Sequence, residues 1–267
     1  MSILPNNLDI AFRRSLVGSR IGRSLFYLRE TLDIITSPRI EWGTIVNDQL
    51  ASRILVELCK PGDVFIDVGA HIGSVIAKVK FKCPQARILA FEAIPAKASW
   101  LEKKFPDVTI FSCAAGERNG SVEFFIDLNQ SGYSSLSPSA EKFQKVQVEM
   151  KRLDDVLEWA DYIKIDVEGA ELGVLRGTER IISECRPVIM FESGPGSILS
   201  YTKSDLFKFF DKFDFGIMAP NRIAHTGGFM SLDAFLDSHE YPRRTTNYFA
   251  IPREKLGEIR AFFDHSN

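Results

Sequence analysis

The chain has 267 residues, 45% of them hydrophobic, with 33 Lys and Arg against 35 Asp and Glu and a formal net charge of −2. That length and apolar content suffice for one large core with a decorated N-terminus, and near-neutrality with a sequence pI of about 6.1 disfavours nucleic acid as a partner. Cys59, Cys83, Cys113 and Cys185 form no C-x-x-C pair, which together with the lack of a secretory segment or a bilayer-length apolar run predicts a soluble, cytoplasmic protein with buried free thiols.

In the first sixty residues Arg13, Arg14, Arg20, Arg23 and Arg29 are interleaved with Phe12, Leu16, Val17, Ile21, Leu25, Phe26 and Leu28 at roughly helical spacing. The segment 1–60 reads as a helical extension packing on the core, with contact to an anionic membrane surface or a partner as the alternative. Asp48 to Cys59 reads as the helix before the first strand, stopped by Pro61 and Gly62.

The stretch VFIDVGAHIGS, Val64 to Ser74, is strand, glycine turn and helix start, the first unit of a nucleotide-binding α/β domain occupying 61–267. Gly69 lets backbone approach a ligand, Gly73 lets the helix SVIAKVKFK begin close to the strand, and the helix N-terminus turns its N–H groups to the crevice. Asp67, ending a buried strand, requires a partner. The spacing is G-x-x-x-G, so no extended pyrophosphate cradle is expected. The strand Arg87 to Phe91 ends in Glu92, where an acid accepts from both ribose hydroxyls. An adenosine-bearing ligand follows, S-adenosylmethionine before NAD.

Pro95 to Lys104 reads as a helix and Val108 to Cys113 as the third strand. Val122 to Ile126 and Val146 to Met150 read as a small antiparallel excursion, and the loop Asn129 to Ser139, with Tyr133, Ser134 and Ser135, as either a lid or a solvated connection. A strand Tyr162 to Val167 carries Asp166, followed by Glu168, Gly169, Glu171 and a helix from about Leu172. The strand Val188 to Glu192 also ends in an acid. Glu171 reads as a first-turn acid favoured by the helix dipole, whereas Asp166 and Glu192 terminate buried strands and are candidates for holding a divalent metal such as Mg²⁺. Pro220 to Thr246, between strands Phe213 to Ala219 and Asn247 to Ile251, reads as an acceptor-recognition insertion, with Arg243 and Arg244 as anion contacts. Glu254 to Phe263 reads as a terminal helix.

FIDVGAHIG, LAFEAIP, the SSL loop, LDDVLEWADYIKIDVEGAE and NYFAIP together resemble the FkbM family of S-adenosylmethionine-dependent methyltransferases over roughly Gly62 to Pro252, with KIDVEGAE the most specific part. The resemblance implies a class I methyltransferase, Rossmann-like doubly wound sheet of about seven strands with the last antiparallel, and O-methylation of a hydroxyl on a sugar, glycan or natural product. Asp67, Gly69, Ala70 and Gly73 stand at the family's cofactor turn, Glu92 at its ribose acid, and Asp166 and Glu168 in its KIDVEGAE box. His71 replaces an asparagine and Ala93 a proline.

A sulfonium methyl is already electrophilic, so catalysis is chiefly positioning and water exclusion, with a base or metal assisting a weakly acidic hydroxyl. Asp166 or Glu168 is expected as base or metal ligand, Glu192 as second ligand, and His225 or His239 as a base supplied by the late insertion. Asp166 is also expected to contact the cofactor with Asp67, Gly69, Ala70, His71, Gly73 and Glu92. A non-catalytic cofactor-binding accessory protein of a glycan pathway is the alternative, followed by an NAD-dependent oxidoreductase, which the missing Tyr-x-x-x-Lys pair and second turn glycine disfavour.

Overall fold

The computed structural model describes residues 16–127, 134–135, 143–194, 199–225, 227–240 and 242–264. Helices α1 (Arg20–Thr36) and α2 (Trp42–Leu58) precede β1 (Val64–Val68). There follow α3 (Ser74–Lys82), β2 (Arg87–Phe91), α4 (Pro95–Lys104), β3 (Thr109–Phe111) and β4 (Ala114–Ala115). The excursion is β5 (Gly120–Asp127), β6 (Ser134–Ser135) and β7 (Phe143–Lys151), after which come α5 (Leu153–Val156) and β8 (Tyr162–Ile165). The chain continues through α6 (Glu171–Arg176), α7 (Glu179–Cys185), β9 (Val188–Glu192), α8 (Lys203–Lys212) and β10 (Phe215–Met218). It closes with α9 (Pro220–Ala224), α10 (Leu232–Asp237), β11 (Asn247–Pro252) and α11 (Leu256–Asp264).

Among the described residues the main sheet has seven strands in the order β10-β11-β9-β8-β1-β2-β3. Only β11 runs antiparallel to its neighbours, β9 and β10. The expected doubly wound sheet with an antiparallel last strand is therefore present. The chain winds outward from β1 first through β2 and β3, then on the other side through β8 and β9. This reversal makes the carboxyl ends of β1 and β8 the crevice where such sheets hold ligands. The central strands are apolar runs because helices cover both faces. Phe65 points into the layer of α2, α3 and α4 with Ile76 and Leu101, while Ile66 and Val68 point into the layer of α5 to α8 with Leu175 and Phe210. Each such fully buried side chain contributes about 1.5–3 kcal/mol.

The excursion is a second sheet, β4-β7-β5-β6, in which β5 and β7 pair antiparallel from Gly120↔Met150 to Asp127↔Phe143. The expected lid over 129–139 lies outside the described residues except for the short strand β6. Several strands are shorter than the apolar runs imply: β8 stops at Ile165 because the chain must turn at Asp166, and β3 covers only Thr109–Phe111. Helix α2 begins at Trp42, one and a half turns earlier than the periodicity from Asp48 suggested. All four cysteines are buried and free. Among the described residues no helix is long and apolar enough to cross a membrane.

Candidate active site

The turn after β1 is closed by backbone: Gly69 N–H and Ala70 N–H both donate to Phe91 O, at 2.9 and 3.1 Å. Gly69 has φ +81°, and a Cβ there would lie 1.9 Å from Asp166 O, so β1 and β8 approach closely only because the residue is glycine. At Gly73, φ +74°, a Cβ would strike Phe105 and Leu101 on and after α4. His71 and Glu168 are non-glycine residues in the left-handed region, with φ 51° and 53°. Strain of this kind persists where surrounding contacts fix the chain, and both residues face the same cleft.

That cleft, of about 360 Å³, lies over the carboxyl ends of β1, β2 and β8. Its lining includes the charged Glu92 and Lys97, the apolar Ile94, Ala114 and Phe124, and, just past β8, Asp166 and Glu168. An acid beside an apolar slot fits an adenosine, and a cluster of charged groups beyond it fits a zwitterionic tail. The residues present therefore suit S-adenosylmethionine.

Glu92 is buried and already engaged. Its Oε2 accepts from His71 N–H at 2.8 Å and its Oε1 from Ile94 N–H at 2.9 Å, so it ties the first turn to the second. Burial raises its pKa, opposed by Lys97 and the two N–H groups. Each carboxylate oxygen retains a further lone pair for a ligand hydroxyl.

Asp67 departs from expectation. It is 1% exposed and is not among the cleft-lining residues. Its partner is the buried Lys164, whose Nζ lies 3.4 Å from Asp67 Oδ1, 3.2 Å from Asp166 Oδ2 and donates to Gly69 O at 2.9 Å. Asp67 is thus engaged in an internal ion pair beneath the turn. Burial works against the Lys164 ammonium, but Asp166 and Asp67 more than offset it and hold it above the ordinary lysine range. Lys164 was legible as one cation inside the apolar run YIKI, two residues before Asp166 and therefore on the same strand face.

Asp166, Glu168 and Glu192 converge, each offering one carboxylate oxygen within 4.8 Å of the others. Burial opposes the Asp166 anion, yet Lys164, a hydrogen bond from Glu192 and the nearby His71 hold its pKa below the usual carboxylate range. Glu192 goes the other way: burial, the Asp166 charge and that same hydrogen bond push it up to about 10. The two carboxyls are thus pushed in opposite directions, Asp166 towards the ionised form and Glu192 towards the protonated one. Burial and the charges of Asp166 and Glu171 push Glu168 up to about 7. Glu171 is a clasp as well as a first-turn acid. Its Oε1 accepts from Val167 N–H at 3.3 Å and Gly169 N–H at 3.0 Å, and its Oε2 accepts from Tyr201 OH at 2.7 Å. The capping box of Thr202 and Asp205 sets the start of α8, next to Tyr201.

The two histidines do not join this group. His225 ends α9, beyond the edge strand β10, with β11 and β9 between it and β8, or about 14 Å of sheet at the usual strand spacing. It is corrected to a residue remote from the cluster. His239 is buried, its Nδ1 2.7 Å from Phe235 O and its Nε2 2.9 Å from Ser193 Oγ, stacked on Tyr248. Burial lowers its pKa to about 4, so it is a neutral structural histidine. Arg244 pairs with Asp237 at 2.5 Å. The carbonyls of Arg243 and Arg244 accept from Thr44 Oγ1 and Asn47 Nδ2 of α2. Asp48 of α2 accepts from Thr245 Oγ1, Thr246 N–H, Thr246 Oγ1 and Asn247 N–H at 2.8–3.1 Å. The sequence pattern gave no sign of this clamp, because its two halves lie almost 200 residues apart.

The profile of the methyltransferase FkbM domain matches residues 67–216, more than half of the chain. Methyltransferase 1 of Beauveria bassiana is 33% identical over 149 residues, covering 45% of this chain and 60% of that protein. The 2-O-methyltransferase NoeI of Sinorhizobium fredii is 28% identical over 195 residues, covering 62% of this chain and 79% of that protein. Among solved structures, the FkbM methyltransferase of Methylobacillus flagellatus aligns with a TM-score of 0.46 and 19% identity, covering 72% of this chain and 44% of that one.

Proposed function

Because the chain belongs to the FkbM methyltransferase family, we propose that it transfers a methyl group from S-adenosylmethionine to a hydroxyl oxygen of a sugar, glycan or natural-product acceptor. The observation that carries this reading is the convergence of three carboxyls, each with an oxygen within 4.8 Å of the others, at the carboxyl ends of β8 and β9, beside the cleft that Asp166 and Glu168 line. A relative described as a 2-O-methyltransferase supports oxygen as the target.

The cofactor would be held by the backbone of Gly69, Ala70 and His71, by Glu92 at the ribose, and by Ile94, Ala114 and Phe124 around the base. Gly73 serves by letting α3 start against Leu101 and Phe105. When bound, S-adenosylmethionine supplies an electrophilic methyl. Glu168, with a pKa near 7, takes the hydroxyl proton as the oxygen attacks, because a base poised near the working pH combines availability with driving force. Asp166, kept ionised by Lys164 and by the Glu192 proton, orients the acceptor hydroxyl. Asp67 acts through Lys164, holding the turn above it. Residues 61–267 form the catalytic domain and 1–60 an extension, and the four buried, free thiols fit a reducing cytoplasm.

A divalent cation is the second occupant to test at Asp166, Glu168 and Glu192, since three oxygens within 4.8 Å suit one. The raised pKa of Glu192 relieves the same repulsion without it, and we favour that reading. Calorimetric titration with S-adenosylmethionine, S-adenosylhomocysteine and NAD, with and without Mg²⁺, tests the reading. Binding of the first two, weakened at least tenfold by Glu92→Ala and unchanged by Mg²⁺, is expected. Binding of NAD alone, or of none, overturns it, and cofactor binding without turnover on any hydroxyl acceptor points to the accessory-protein alternative.

A further inference from the structure

Among its described side chains, helix α1 leaves an apolar stripe exposed. Its Glu30 faces the body, with Oε1 2.9 Å from Lys78 Nζ of α3 and the Glu30 carbonyl accepting from Gln49 Nε2 of α2 at 2.8 Å. On the opposite side Ile21, Leu25, Leu28, Leu32 and Ile35 are 72, 37, 56, 45 and 67% exposed. A surface helix ordinarily buries its apolar stripe and exposes its charges. Here the stripe is left outside while a glutamate is tied down.

The steps along the stripe are 4, 3, 4 and 3 residues, the narrow seam of a helix that meets another helix. Its residue types, Ile-Leu-Leu-Leu-Ile, read the same in both directions. An antiparallel copy therefore meets the stripe with Ile and Leu against Ile and Leu, as a two-fold interface requires. A two-fold axis over Glu30 pairs Leu28 with Leu32 and Leu25 with Ile35, and brings Ile21 of one copy to Ile40 of the other. Ile40, Trp42 and Val46, at 46, 40 and 46% exposed, add exposed apolar residues between the end of α1 and the first turns of α2. Together these eight exposed apolar residues are the kind of surface that an interface of standard size, about 800 Å² per partner, draws on. We propose that the chain is a homodimer in which the α1 helices of two copies pack antiparallel along this stripe.

The test is the mass of the full chain in solution by light scattering after gel filtration. The expected result is twice the 30.1 kDa chain mass, falling to the single-chain mass in Leu28→Glu/Leu32→Glu with unchanged circular dichroism. Leu28→Met/Leu32→Met should stay at the double mass. To fix the register, separately made Leu28→Cys and Leu32→Cys chains are mixed and oxidised, and a linked dimer should form at least fivefold more in the mixture than in either alone. A wild-type chain that runs as a monomer at tens of micromolar overturns the proposal. So does a dimer that survives the glutamate pair, or a monomer that floats with anionic phosphatidylglycerol vesicles through this stripe.

Discussion

Lys164 and Asp67 face each other across the β1–β8 register, Nζ to Oδ1 at 3.4 Å, in a part of the sheet where Asp67 is 1% exposed. The same ammonium reaches Gly69 O and Asp166, so one cation joins the cofactor turn to the carboxyl cluster. Removing either member of a buried ion pair strands the other charge, at a cost of about 3–5 kcal/mol. Lys164→Met and Asp67→Leu should each lose about that much in urea unfolding. The double variant should lose clearly less than the sum, because no charge is stranded between them. Additive losses would show that the two residues do not act as a pair.

Asp166→Asn keeps the size of the side chain and removes its charge. Turnover should drop by about 10²–10⁴-fold, the usual weight of a group assisting proton transfer, while S-adenosylmethionine affinity changes by less than tenfold. Single-turnover kinetics beside calorimetry separate the two quantities. An affinity loss as large as the rate loss would assign Asp166 to the cofactor alone.

Glu168 must be ionised to accept a proton, so turnover should rise with pH through about 7. Glu168→Gln should lose that rising limb. Stability should run in the opposite direction. A carboxyl whose folded pKa is raised binds its proton more tightly in the native state, so the stabilisation is complete below the unfolded pKa and is lost as pH climbs through the folded one. For Glu168 the window is 4.5 to about 7, and for Glu192 it is 4.5 to about 10. Glu192→Gln keeps a donor for Asp166 without the titration, and its melting temperature should fall less steeply with pH above neutrality than that of the wild type. Parallel pH curves for the two would remove Glu192 as the protonated partner.

Asp48→Ala removes four hydrogen bonds that hold Thr245, Thr246 and Asn247 at the entry to β11. The expected loss is about 2–4 kcal/mol of stability, since bonds to a charged acceptor are worth more than neutral ones. Cofactor affinity should stay within threefold, because the clamp lies on the far side of Glu192 from Gly69. Denaturant unfolding and calorimetry on one preparation check both statements.

The antiparallel direction of β11 was implied only by the family resemblance, whereas sequence alone determined the strand, glycine turn and helix at Val64–Lys82, the acids closing β2 and β9, and the separate excursion. These follow from periods of two and 3.6 residues and from glycine and proline, and such signals are local to the chain. Tertiary structure decided the partners. Asp67 meets Lys164 only because β1 and β8 become neighbours with a particular register. Burial and the Asp166 charge push Glu192 up, and they act together only where β9 ends beside β8, while two strands separate the helix before His225 from β8. The apolar residues of α1 pointed to a packed helix, whereas Ile21, Leu25, Leu28, Leu32 and Ile35 are exposed and Glu30 meets Lys78. Charge pairing and facing depend on distances between segments far apart in sequence, which local periodicity does not encode.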